Sequence, residues 1–584
     1  MQTELLRFAH VIWVFCVIAM LEGCGSYQAP PNYLTVTISP ASTAVGTGQT
    51  TQFSATVTGD TTGVTWAATV GAIDASGNYT APTGAQSSTV TVTATSKKDT
   101  TKSGSATVHV VAPGQVAPTA NLQVALFSIA PAGSGNVSVQ FGPDTNYGLT
   151  TWTQPVPQGG GTVSLFVAGM KGSTLYHMRG VVKFDDGTQF MDADQTFTTG
   201  AIPAAQLPTI TATTTQGATP QPGVELLDLI GGTTQFTLAV TDLNGNLLWG
   251  YNPGLPGLLA NPIKLLPNGH FLVNFNGGAP DGQNSVLREV DLAGTTIWEM
   301  TASDLNNALA AATCAGCNIT VVGTHHDFVL LPNGHLIVIA AQQQTISGEL
   351  ITGDVLIDLD QNHKPVWLWN EFDHLDTNRR PMGLQDWTHS NAVIYSADDG
   401  NLIMSIRHQN WLVKVPYMNG TGSGPAIWKL GYQGDFALMG GIDPVDWFYA
   451  QHGPSFVTTN TTGQFSLVLF DNGNDRGFPT PCGTTGQPSC HSTVPLLQLD
   501  EAAKTATLGF HPTAPTFSFF GGNAEVLKNG NVEYCESAGG PGIAGDIYEV
   551  TQDSNAQIIW KMLITGQTVY RGQRLPSLYP GVQW

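Results

Sequence analysis

Apolar and polar residues alternate along the first part of the chain. Between residues 33 and 112, segments such as "LTVTISP", "TQFSATVTG" and "STVTVTATS" place an apolar residue at every second position and are separated by turn residues at short intervals. A period of two is typical of β-strands that turn one face to a core and the other to solvent. The pattern predicts a small β-sandwich over residues 33–112.

A second sandwich is predicted over residues 118–203, after a short linker from Pro113 to Pro118. The first sandwich resembles the bacterial immunoglobulin-like modules of exported proteins. The second, with "STLYHMRGVVKFDDG" and "QTFTTG", resembles a fibronectin type III-like module. Its His177 and Arg179 are expected to be polar edge-strand residues, because sandwich faces alternate. Nothing in the first sandwich points to catalysis.

From about residue 205 onward the chain repeats. The clearest signature is an Asp followed seven positions later by a Trp. Its four copies are Asp242 and Trp249, Asp291 and Trp298, Asp360 and Trp367, and Asp553 and Trp560. Trp428 marks a degenerate copy, and the wide interval after it accommodates one more at "LDEAAKTATLGF". The repeat therefore predicts six units.

Each unit also contains two apolar runs around a tight turn, as in "IKLLPNGHFLVNF", "FVLLPNGHLIVIA" and "AEVLKNGNVEYCE". The Asn-Gly pairs predict type I′ turns. Six repeats of about four strands, without crossover helices, predict a six-bladed β-propeller over residues 205–584. The predicted fold class is all-β, a six-bladed β-propeller preceded by two small β-sandwich domains. In such a propeller the function is expected in the central channel.

Composition supports this class and limits the partners. Charged residues make up 11% of the chain, and 67 Gly with 35 Pro supply turns rather than long amphipathic helices. A net charge of −21 argues against binding to nucleic acid or to an anionic membrane surface. A cluster of His and Arg within such an acidic protein must be a local feature.

The first 24 residues are predicted to be a signal peptide. They contain the apolar segment "FAHVIWVFCVIAML", and the following "LEGC" resembles a bacterial lipoprotein processing site with Cys24 as the lipidated residue. A plain cleaved signal or an anchor is the alternative. The expected location is exported, in the periplasm or as an outer-membrane or cell-surface lipoprotein attached through Cys24.

Export allows disulfide bonds. Cys482 and Cys490 bracket "GTTGQPS" and are predicted to form one. Cys314 and Cys317, in "CAGC", form either a local disulfide or two free thiols. A zinc site is not expected from a single CxxC pair. Cys535 is expected to be a small buried strand residue.

Alignment of the repeats on their turn glycines yields a candidate site. His326 lies eight positions before Gly334, and polar residues stand at comparable places in four other units. Together the five units contribute Asn261, His326, His389 with Asn391, His452 and Asn523. The stretch "THSNAVIYSADDGNLIMSIRHQN" is predicted to be a β-hairpin that brings Arg407 to the end where His389 lies. Equivalent positions of a propeller point to the same end of the channel.

Three His, one Arg and several amides allow two kinds of site. Zinc bound by three His is one, although Arg407 would repel the metal and only Asp327 is available as a base. The other binds and transfers a tetrahedral anion, since Arg offers a planar set of donors and His can act as nucleophile or acid and base. The anion site fits better. Asn261 and Asn523 are equally consistent with simple channel lining.

The motifs "HHDFVLLPNGH", "HSNAVIYSADDGNLIMSIRHQN", "QHGPSF", "FDNGNDR" and "YRGQRLPSLYP" resemble the bacterial arylsulfate sulfotransferase family over residues 205–584. The resemblance implies PAPS-independent, ping-pong transfer of a sulfuryl group from a phenolic sulfate ester to a phenol, with no cofactor. It implies that His452 is the nucleophile that becomes sulfated. It further implies that His326, His389 and Arg407 neutralise the sulfuryl oxygens and assist proton transfer, and that Asn391 orients the group.

Some assignments remain open at this stage. His325 adjoins His326, and the spacing favours His326 as the channel residue, with His325 a further substrate-binding candidate. In "FDNGNDRG", Asp471, Asn472 and Asp475 are better explained as a capped turn than as a channel-mouth or calcium site. The alternative functions are a non-catalytic exported propeller that binds a ligand or partner, and a zinc-dependent hydrolase. Phosphate is the rival transferred group, and a homodimer is compatible with the sequence.

Overall fold

The computed structural model describes residues 33–203, 207–232, 236–477, 482–537 and 544–584. The predicted signal segment and Cys24 lie outside the described residues. The prediction of an all-β protein is confirmed. The chain divides into two compact units, the first containing the described residues up to Ala85 with Thr89–Val110, and the second containing Gln86–Ser88 with Val111–Trp584. Within the described ranges, no helix is long and apolar enough to cross a membrane.

The first unit consists of antiparallel sheets around a small apolar core. Phe53, Tyr79, Val92 and Val108 are fully buried in that core. The sheets are Thr35–Ser39 with Ser54–Thr58; Ser42–Gly46, Ser103–Val111, Ser88–Ser96 and Val64–Ala68; and Thr50–Gln52, Asn78–Thr80 and Ala72–Ile73. The alternation of buried and exposed residues in Ser88–Ser96 follows the period of two seen in the sequence.

The second unit begins with two further sheets. One contains Gln115–Pro118, Ala125–Ile129 and Val163–Val167. The other contains Leu149–Thr150, Gly135–Gly142, Leu175–Phe184 and Gln189–Met191, with Gln154–Pro155 and Gln195–Thr198 pairing at its sides. His177 pairs with Asp194 and Arg179 with Gln140, so both are polar strand residues.

Six sheets of four or five strands make up the rest of this unit. We number these sheets 1 to 6. Sheet 1 contains Leu247–Tyr251, Leu238–Thr241, Val224–Gly232 and Gln567–Leu575; sheet 2 contains Leu259–Leu265, Phe271–Asn276, Val286–Val290 and Thr296–Thr301; sheet 3 contains Gly323–Leu330, Leu336–Ile346, Glu349–Leu359 and Pro365–Asn370. Sheet 4 contains Ser390–Ser396, Asn401–Ile406, Trp411–Val415 and Trp428–Leu430; sheet 5 contains His452–Thr461, Gln464–Phe470, Leu496–Asp500, Thr505–Leu508 and Ala437–Met439; sheet 6 contains Asn523–Val526, Val532–Glu536, Ala544–Val550, Ile558–Thr565 and Thr209–Thr214.

Short helices interrupt the loops between these sheets. The α-helices are Ala302–Ala311 and Glu371–His374, the π-helical turn is Gly278–Gly282, and the 3-10 turns are Arg407–Gln409 and Met418–Gly420. Ala302–Ala311 begins at a capping box, in which the Thr301 side chain accepts from the Asp304 amide and Asp304 accepts from the Thr301 amide.

The two ends of the repeat region are interlocked. Thr209–Thr214 pairs with Ile558–Thr565 and so joins the last sheet, whereas Gln567–Leu575 pairs with Val224–Gly232 and joins the first. Backbone hydrogen bonds between the start and the end of the region therefore hold sheets 1 and 6 together.

The repeated Trp residues connect neighbouring sheets. The indole N–H of Trp249 in sheet 1 donates at 2.8 Å to Leu292 O, in the turn between the last two strands of sheet 2. Trp560 in sheet 6 donates at 2.8 Å to Leu243 O, in the turn after Leu238–Thr241 of sheet 1. Trp367 and Trp428 donate in the same way to Gly422 O and Glu501 Oε1, and the ring of Trp298 stacks on His363. The Trp at the end of a repeat thus contacts the neighbouring sheet, and Trp560 of the last sheet contacts the first.

The Asp of the same signature caps the turn before the Trp. Asp242 Oδ1 accepts from the amides of Asn244 and Asn246, and Asp360 Oδ1 accepts from those of Asn362 and Lys364. A carboxylate that binds amides two and four residues later is an Asx-type turn. The signature therefore specifies a turn and a contact between sheets.

The prediction of type I′ turns at the Asn-Gly pairs is wrong. A type I′ turn needs positive φ at both central residues. Gly269, Gly334 and Gly530 have φ of 80°, 81° and 86°, but the preceding Asn residues do not have positive φ. Asn268 Oδ1 instead accepts from His270 N, so the side chain closes the turn locally and the Gly alone takes the left-handed position.

A cavity of about 300 Å³ lies between the first strands of sheets 2 to 6 and the strand Gln567–Leu575 of sheet 1. Every sheet contributes to its wall. One lining residue from each of sheets 1 to 6 in turn is Arg571, Lys264, Asp327, Ile394, Ser455 and Asn523. Apolar clusters fill the space between consecutive sheets, such as that of Leu272 and Leu287 with Val338 and Ile357. The apolar runs of the repeats thus become the faces between sheets.

Arg574 carries a buried charge across the junction of sheets 1 and 6. Its guanidinium contacts Glu225 at 2.9 Å, Glu533 at 2.7 Å and Glu549 at 3.1 Å, and all four side chains are 1% exposed or less. Burial raises the pKa of both Glu225 and Glu533. Repulsion from Glu533 raises the pKa of Glu225 further, and repulsion from Glu549 does the same for Glu533. The positive charge of Arg574 offsets the repulsion among these three buried carboxylates.

We expect Arg574→Met to lower the free energy of unfolding by about 3–5 kcal/mol, because buried carboxylates lose their counter-charge. Urea unfolding followed by fluorescence measures this. The control is Lys171→Met, since the Lys171–Asp242 pair is 45% and 22% exposed and its loss should cost less than about 1 kcal/mol. Equal effects of the two substitutions would contradict the role assigned to Arg574.

Candidate functional site

Three His residues lie at the starts of the first strands of successive sheets. His326 lies in Gly323–Leu330, His389 directly precedes Ser390–Ser396, and His452 begins His452–Thr461. The hairpin predicted after His389 is confirmed by the pairing of Ser390–Ser396 with Asn401–Ile406. The imidazole rings of His326 and His389 are 4.6 Å apart, and Tyr570 lies 5.9 Å from His326 and 6.1 Å from His452. The aligned repeat positions therefore meet around Tyr570.

The backbone at two of these His residues is strained. His326 and His389 have φ of 57° and 51°, in the left-handed region that non-glycine residues rarely adopt. Such a conformation costs on the order of 1 kcal/mol or more and persists only where surrounding contacts enforce it. At His326 the pairing register shifts between Thr324 and Phe328, so the strand bulges at this point. The bulge turns two consecutive His side chains in different directions.

His325 lies behind His326. Its Nε2 is 3.0 Å from Asp354 Oδ1, its Nδ1 is 2.7 Å from His326 Nδ1, and its side chain is fully buried. Burial opposes a charge on His325, but Asp354 outweighs this and raises its pKa. For His326, burial dominates and holds the pKa well below its usual value. His326 is thus the neutral member of the pair, and it faces His389.

Two carboxylates hold His389. Its Nδ1 lies 2.5 Å from Asp386 Oδ2 and 2.9 Å from Asp281 Oδ2. Burial opposes protonation of His389, but the two carboxylates raise its pKa to about 10. The imidazole is therefore an imidazolium at neutral pH. Asp281 comes from the turn Gly278–Gly282 after the second strand of sheet 2, so a different sheet supplies this counter-charge.

Arg407 and His408 extend the cluster. His408 Nδ1 donates to Asp386 O at 2.6 Å, and its Nε2 accepts from an Arg407 amino group. Burial and the nearby positive charges of His389 and Arg407 lower the pKa of His408 to about 3. His408 therefore stays neutral and fixes the guanidinium. The other amino group of Arg407 donates to Phe519 O at 3.0 Å.

His452 has a defined tautomer. Its Nδ1 lies 2.6 Å from Asn472 Oδ1, and the Asn472 amide group donates to Ser518 O and Gly521 O, which fixes the amide oxygen toward the imidazole. Nδ1 thus carries the proton, and Nε2 bears the lone pair. Gly521 N donates to this Nε2 at 3.2 Å. Burial and the positive charge of Arg407 hold the pKa of His452 well below its usual value, so the ring is a neutral base.

Arg571 supplies another buried positive charge. It contacts Asp327 at 3.3 Å and donates to Asn391 O at 2.8 Å, so it borders both the cavity and the His cluster. Asn391 in turn donates from its side chain to Gln451 O at 2.6 Å, next to His452. Asp327 also pairs with Lys264 at 2.7 Å. Asp327 therefore neutralises cations and is not available as a free base.

The structure gives the two outlying Asn residues local roles. Asn261 accepts a hydrogen bond from the Asn276 side chain within sheet 2. Asn523 donates to Gly572 O at 2.8 Å and accepts from Gly572 N at 3.1 Å, which ties sheet 6 to sheet 1. Asn523 also lines the cavity. Neither makes a hydrogen bond to the His cluster within the described part of the chain.

Several buried donors around His452 have no hydrogen-bond partner among the described residues. They are Arg407 Nε, Arg571 Nε and the Tyr570 hydroxyl. An unpaired buried donor costs about 1–3 kcal/mol. Three such donors beside a neutral imidazole fit an anionic ligand.

Two groups of side chains in the described ranges have the ligand types and proximity to hold a metal ion. They are Asp281 with His325 and His326, and Asp386 with His389 and His408. Neither combines the three aligned residues His326, His389 and His452. The Nδ1 of His389 is engaged by two carboxylates, and the Nε2 of His408 is engaged by Arg407. This arrangement favours hydrogen bonding over metal ligation.

Sequence reasoning missed part of the cluster. Asp386 stands three residues before His389, and Arg571 stands in the quoted "YRGQRLPSLYP", so both were close to recognised motifs. The interpretation of Asn472 as part of a capped turn is incomplete, because its side chain binds His452. Asp471 beside it pairs with Arg476 and Thr493. Asp281 gave no sequence signal, because it depends on where an irregular turn of sheet 2 lies. The chain also bridges Cys482 with Cys490 and Cys314 with Cys317, and Cys535 is buried.

We expect His389 to remain protonated through neutral pH and to lose its proton near pH 10, because its folded-state pKa lies above the ordinary value. His452 should stay neutral over the same range. Titration of histidine-labelled protein by NMR measures both. Asp386→Asn should lower the pKa of His389 by more than about 1 unit. The outer residue His363 should titrate identically in the two proteins, and an unchanged His389 would contradict the assigned ion pairs.

The family comparison agrees with this arrangement. No curated protein is significantly similar to the chain. The solved structure of the N-terminal eight Ig domains of Down Syndrome Cell Adhesion Molecule isoform 1.30.30 aligns with 64% of this chain and 52% of its own length, at 9% sequence identity and a TM-score of 0.11, which carries no structural argument. A family model, Arylsulfotransferase (ASST), matches residues 214–571, which contain the whole His cluster. The match supports aryl sulfotransferase activity and small aryl substrates in general. Since it covers more than half of the chain, this protein belongs to the arylsulfotransferase family.

Proposed function

We propose that the protein transfers a sulfuryl group from a phenolic sulfate ester to a phenol by a ping-pong reaction, without PAPS, through a sulfated His452. The observation that carries this proposal is a neutral His452 with its lone pair on Nε2, surrounded by the cationic groups of Arg407, Arg571 and His389. A neutral nucleophile beside cations suits attack on a monoanionic ester.

In the first half-reaction, His452 Nε2 attacks sulfur and forms an N–S bond. The S–O bond to the aryl oxygen breaks, and its electron pair leaves with the phenolate. In the second half-reaction, the oxygen of another phenol attacks sulfur, the N–S bond breaks, and its pair returns to Nε2. Asn472 keeps the proton on Nδ1 throughout, so Nε2 is always the reacting atom.

Arg407, Arg571 and Tyr570 offer the unpaired donors to the sulfuryl oxygens. These groups are held before substrate binds, which is the condition for strong electrostatic stabilisation of a transition state. His408 and Phe519 O fix the Arg407 guanidinium, and Asp327 and Asn391 O fix that of Arg571. Asn391 thus orients the site through its backbone as well as its side chain.

His389 is the proposed proton carrier. Its pKa of about 10 is close to that of a phenol, about 10 for the tyrosine side chain. An acid whose pKa matches that of the leaving group can donate to it and later recover the proton from the acceptor. His389 gives its proton to the departing phenolate and regains one from the incoming phenol, so the enzyme returns to its starting state. His326, which is neutral and 4.6 Å away, can relay this proton.

We further propose that sheets 1 to 6 are the blades of a six-bladed β-propeller. Support comes from the interlocked ends, the Trp contacts from one sheet to the next and the cavity lined by all six sheets. The two disulfides support the proposal that the protein acts after export.

We expect His452→Ala to abolish release of nitrophenolate from 4-nitrophenyl sulfate in the presence of phenol, while the wild type shows phenol-dependent turnover and forms phenyl sulfate. The rate loss should be at least about a thousandfold, as for other nucleophile deletions. Mass spectrometry of the wild type incubated with donor alone should locate one sulfuryl group on His452.

The control is His177→Ala, because His177 pairs with Asp194 at a partly exposed position outside sheets 1 to 6 and should leave turnover unchanged. Full activity of His452→Ala would exclude His452 as the nucleophile. A wild type inactive toward a panel of aryl sulfates would favour the non-catalytic binding function. Loss of activity with a chelator would favour a zinc-dependent hydrolase, and turnover of 4-nitrophenyl phosphate would favour phosphate as the transferred group.

We expect Asn472→Asp to move the acid limb of the kcat/KM profile upward by about 1 pH unit or more. A carboxylate at Nδ1 raises the pKa of His452, so the imidazole becomes protonated and loses its nucleophilic lone pair at a higher pH. Asn268→Asp, at an exposed turn, should leave the profile unchanged. A pH profile of Asn472→Asp that coincides with the wild type would refute the positioning role of Asn472.

A further inference from the structure

One loop contacts three members of the site through its backbone. We call the segment 516–522, with sequence "TFSFFGG", the aromatic loop. Phe519 O accepts from Arg407, Ser518 O and Gly521 O accept from Asn472, and Gly521 N donates to His452 Nε2. The loop is thus fixed directly against the proposed nucleophile and its neighbours.

The C-terminal end of the aromatic loop adopts a backbone conformation that requires glycine. Gly521 and Gly522 have φ of 63° and 96°. A Cβ at Gly521 would lie 2.2 Å from Ser537 Oγ, and one at Gly522 would lie 2.7 Å from Cys535 O. Close approach to sheet 6 therefore demands glycine at both positions. The position of the preceding residues relative to His452 follows from this packing.

Two Phe side chains of the aromatic loop are exposed to solvent. Phe519 is 52% exposed and Phe517 is 37% exposed, and the rings of Phe519 and Phe520 meet edge to face at 4.9 Å. Single exposed apolar residues are common on protein surfaces. Here the exposed ring belongs to the residue whose carbonyl holds Arg407. The loop thus carries a half-exposed aromatic ring on the residue whose backbone carbonyl binds Arg407.

We propose that Phe519 is a specificity-determining residue that binds the aryl ring of donor and acceptor while the sulfuryl group contacts His452. The inference rests on the proposed function and extends it to the part of the substrate that does not react. Sulfur must approach Nε2, where Gly521 N–H now donates, so substrate binding displaces that hydrogen bond. In an in-line displacement the aryl oxygen lies on the far side of sulfur from Nε2, which directs the ring away from the buried His452.

Aromatic pairs contribute about 0.5–1.5 kcal/mol beyond the area they bury. We therefore expect Phe519→Ala to raise KM for both 4-nitrophenyl sulfate and phenol about three- to tenfold, with kcat changed less than about twofold. The increase should be larger for 2-naphthyl sulfate, which presents a wider ring. Steady-state kinetics with each substrate varied in turn gives these values.

Two further variants separate ring binding from loop damage. Phe519→Tyr keeps the ring and should retain the wild-type KM, whereas Phe519→Leu keeps only the apolar character and should resemble Phe519→Ala. Ile297→Ala, which alters an equally exposed apolar residue at 50% exposure in the outer strand of sheet 2, should have no effect. An equal fall in kcat for all three Phe519 variants would show a structural role and overturn the inference.

The outcomes also distinguish this inference from the proposed function. A wild type that turns over aryl sulfates through His452, together with an unchanged KM in Phe519→Ala, overturns the role of Phe519 alone. A wild type without turnover overturns both proposals. A rise in KM that is restored by Phe519→Tyr and grows with ring size supports the aromatic contact.

Discussion

The contact between each repeated Trp and the next sheet is the interaction on which the rest of the structure depends. An indole N–H that is buried must find an acceptor, and Trp249, Trp367, Trp428 and Trp560 each find one on the neighbouring sheet. These bonds link neighbouring sheets, and apolar clusters fill the intervening space. In sheets 3 to 5, the starts of the first strands meet around Tyr570. The His residues at these starts are thereby brought together from distant parts of the sequence.

The site balances charges that would be costly if buried alone. Arg407, Arg571 and protonated His389 would repel one another without Asp281, Asp386 and Asp327. Each of these carboxylates is bonded to His389 or to Arg571, whereas His452 has only an amide oxygen and a backbone carbonyl at Nδ1. This difference separates the charge states of the two His residues. The carboxylate partners raise the pKa of His389, whereas His452, which has an amide partner, keeps a pKa well below its usual value.

The repeats share a framework but differ where function requires it. Sheet 5 carries no Trp in its "LDEAAKTATLGF" segment, and its contact with sheet 6 depends on apolar packing such as Phe470 against Tyr534. The aromatic loop lies between these two sheets and supplies Gly521 to His452. The polar residue at the start of a unit also varies, with His in sheets 3 to 5 and Asn in sheets 2 and 6. The Asn residues bind within or between sheets, so only part of the repeat contributes to the cluster.

The sequence alone determined the number of sheets, the hairpins and the alignment of His326, His389 and His452, because these follow from periodic apolar runs and a repeated signature. It also identified Arg407 and Asn391, which lie on the same hairpin as His389. It was wrong about the type I′ turns. An Asn-Gly pair is compatible with an Asn at positive φ and also with an Asn whose side chain closes the turn, and the structure has the second arrangement. Only the tertiary structure decided that Asp281 and Asp386 share His389, that Asn472 orients His452, and that Phe519 lies beside Arg407. Those contacts join irregular loops of different sheets, and their geometry depends on how the sheets pack, which no local pattern of residues records.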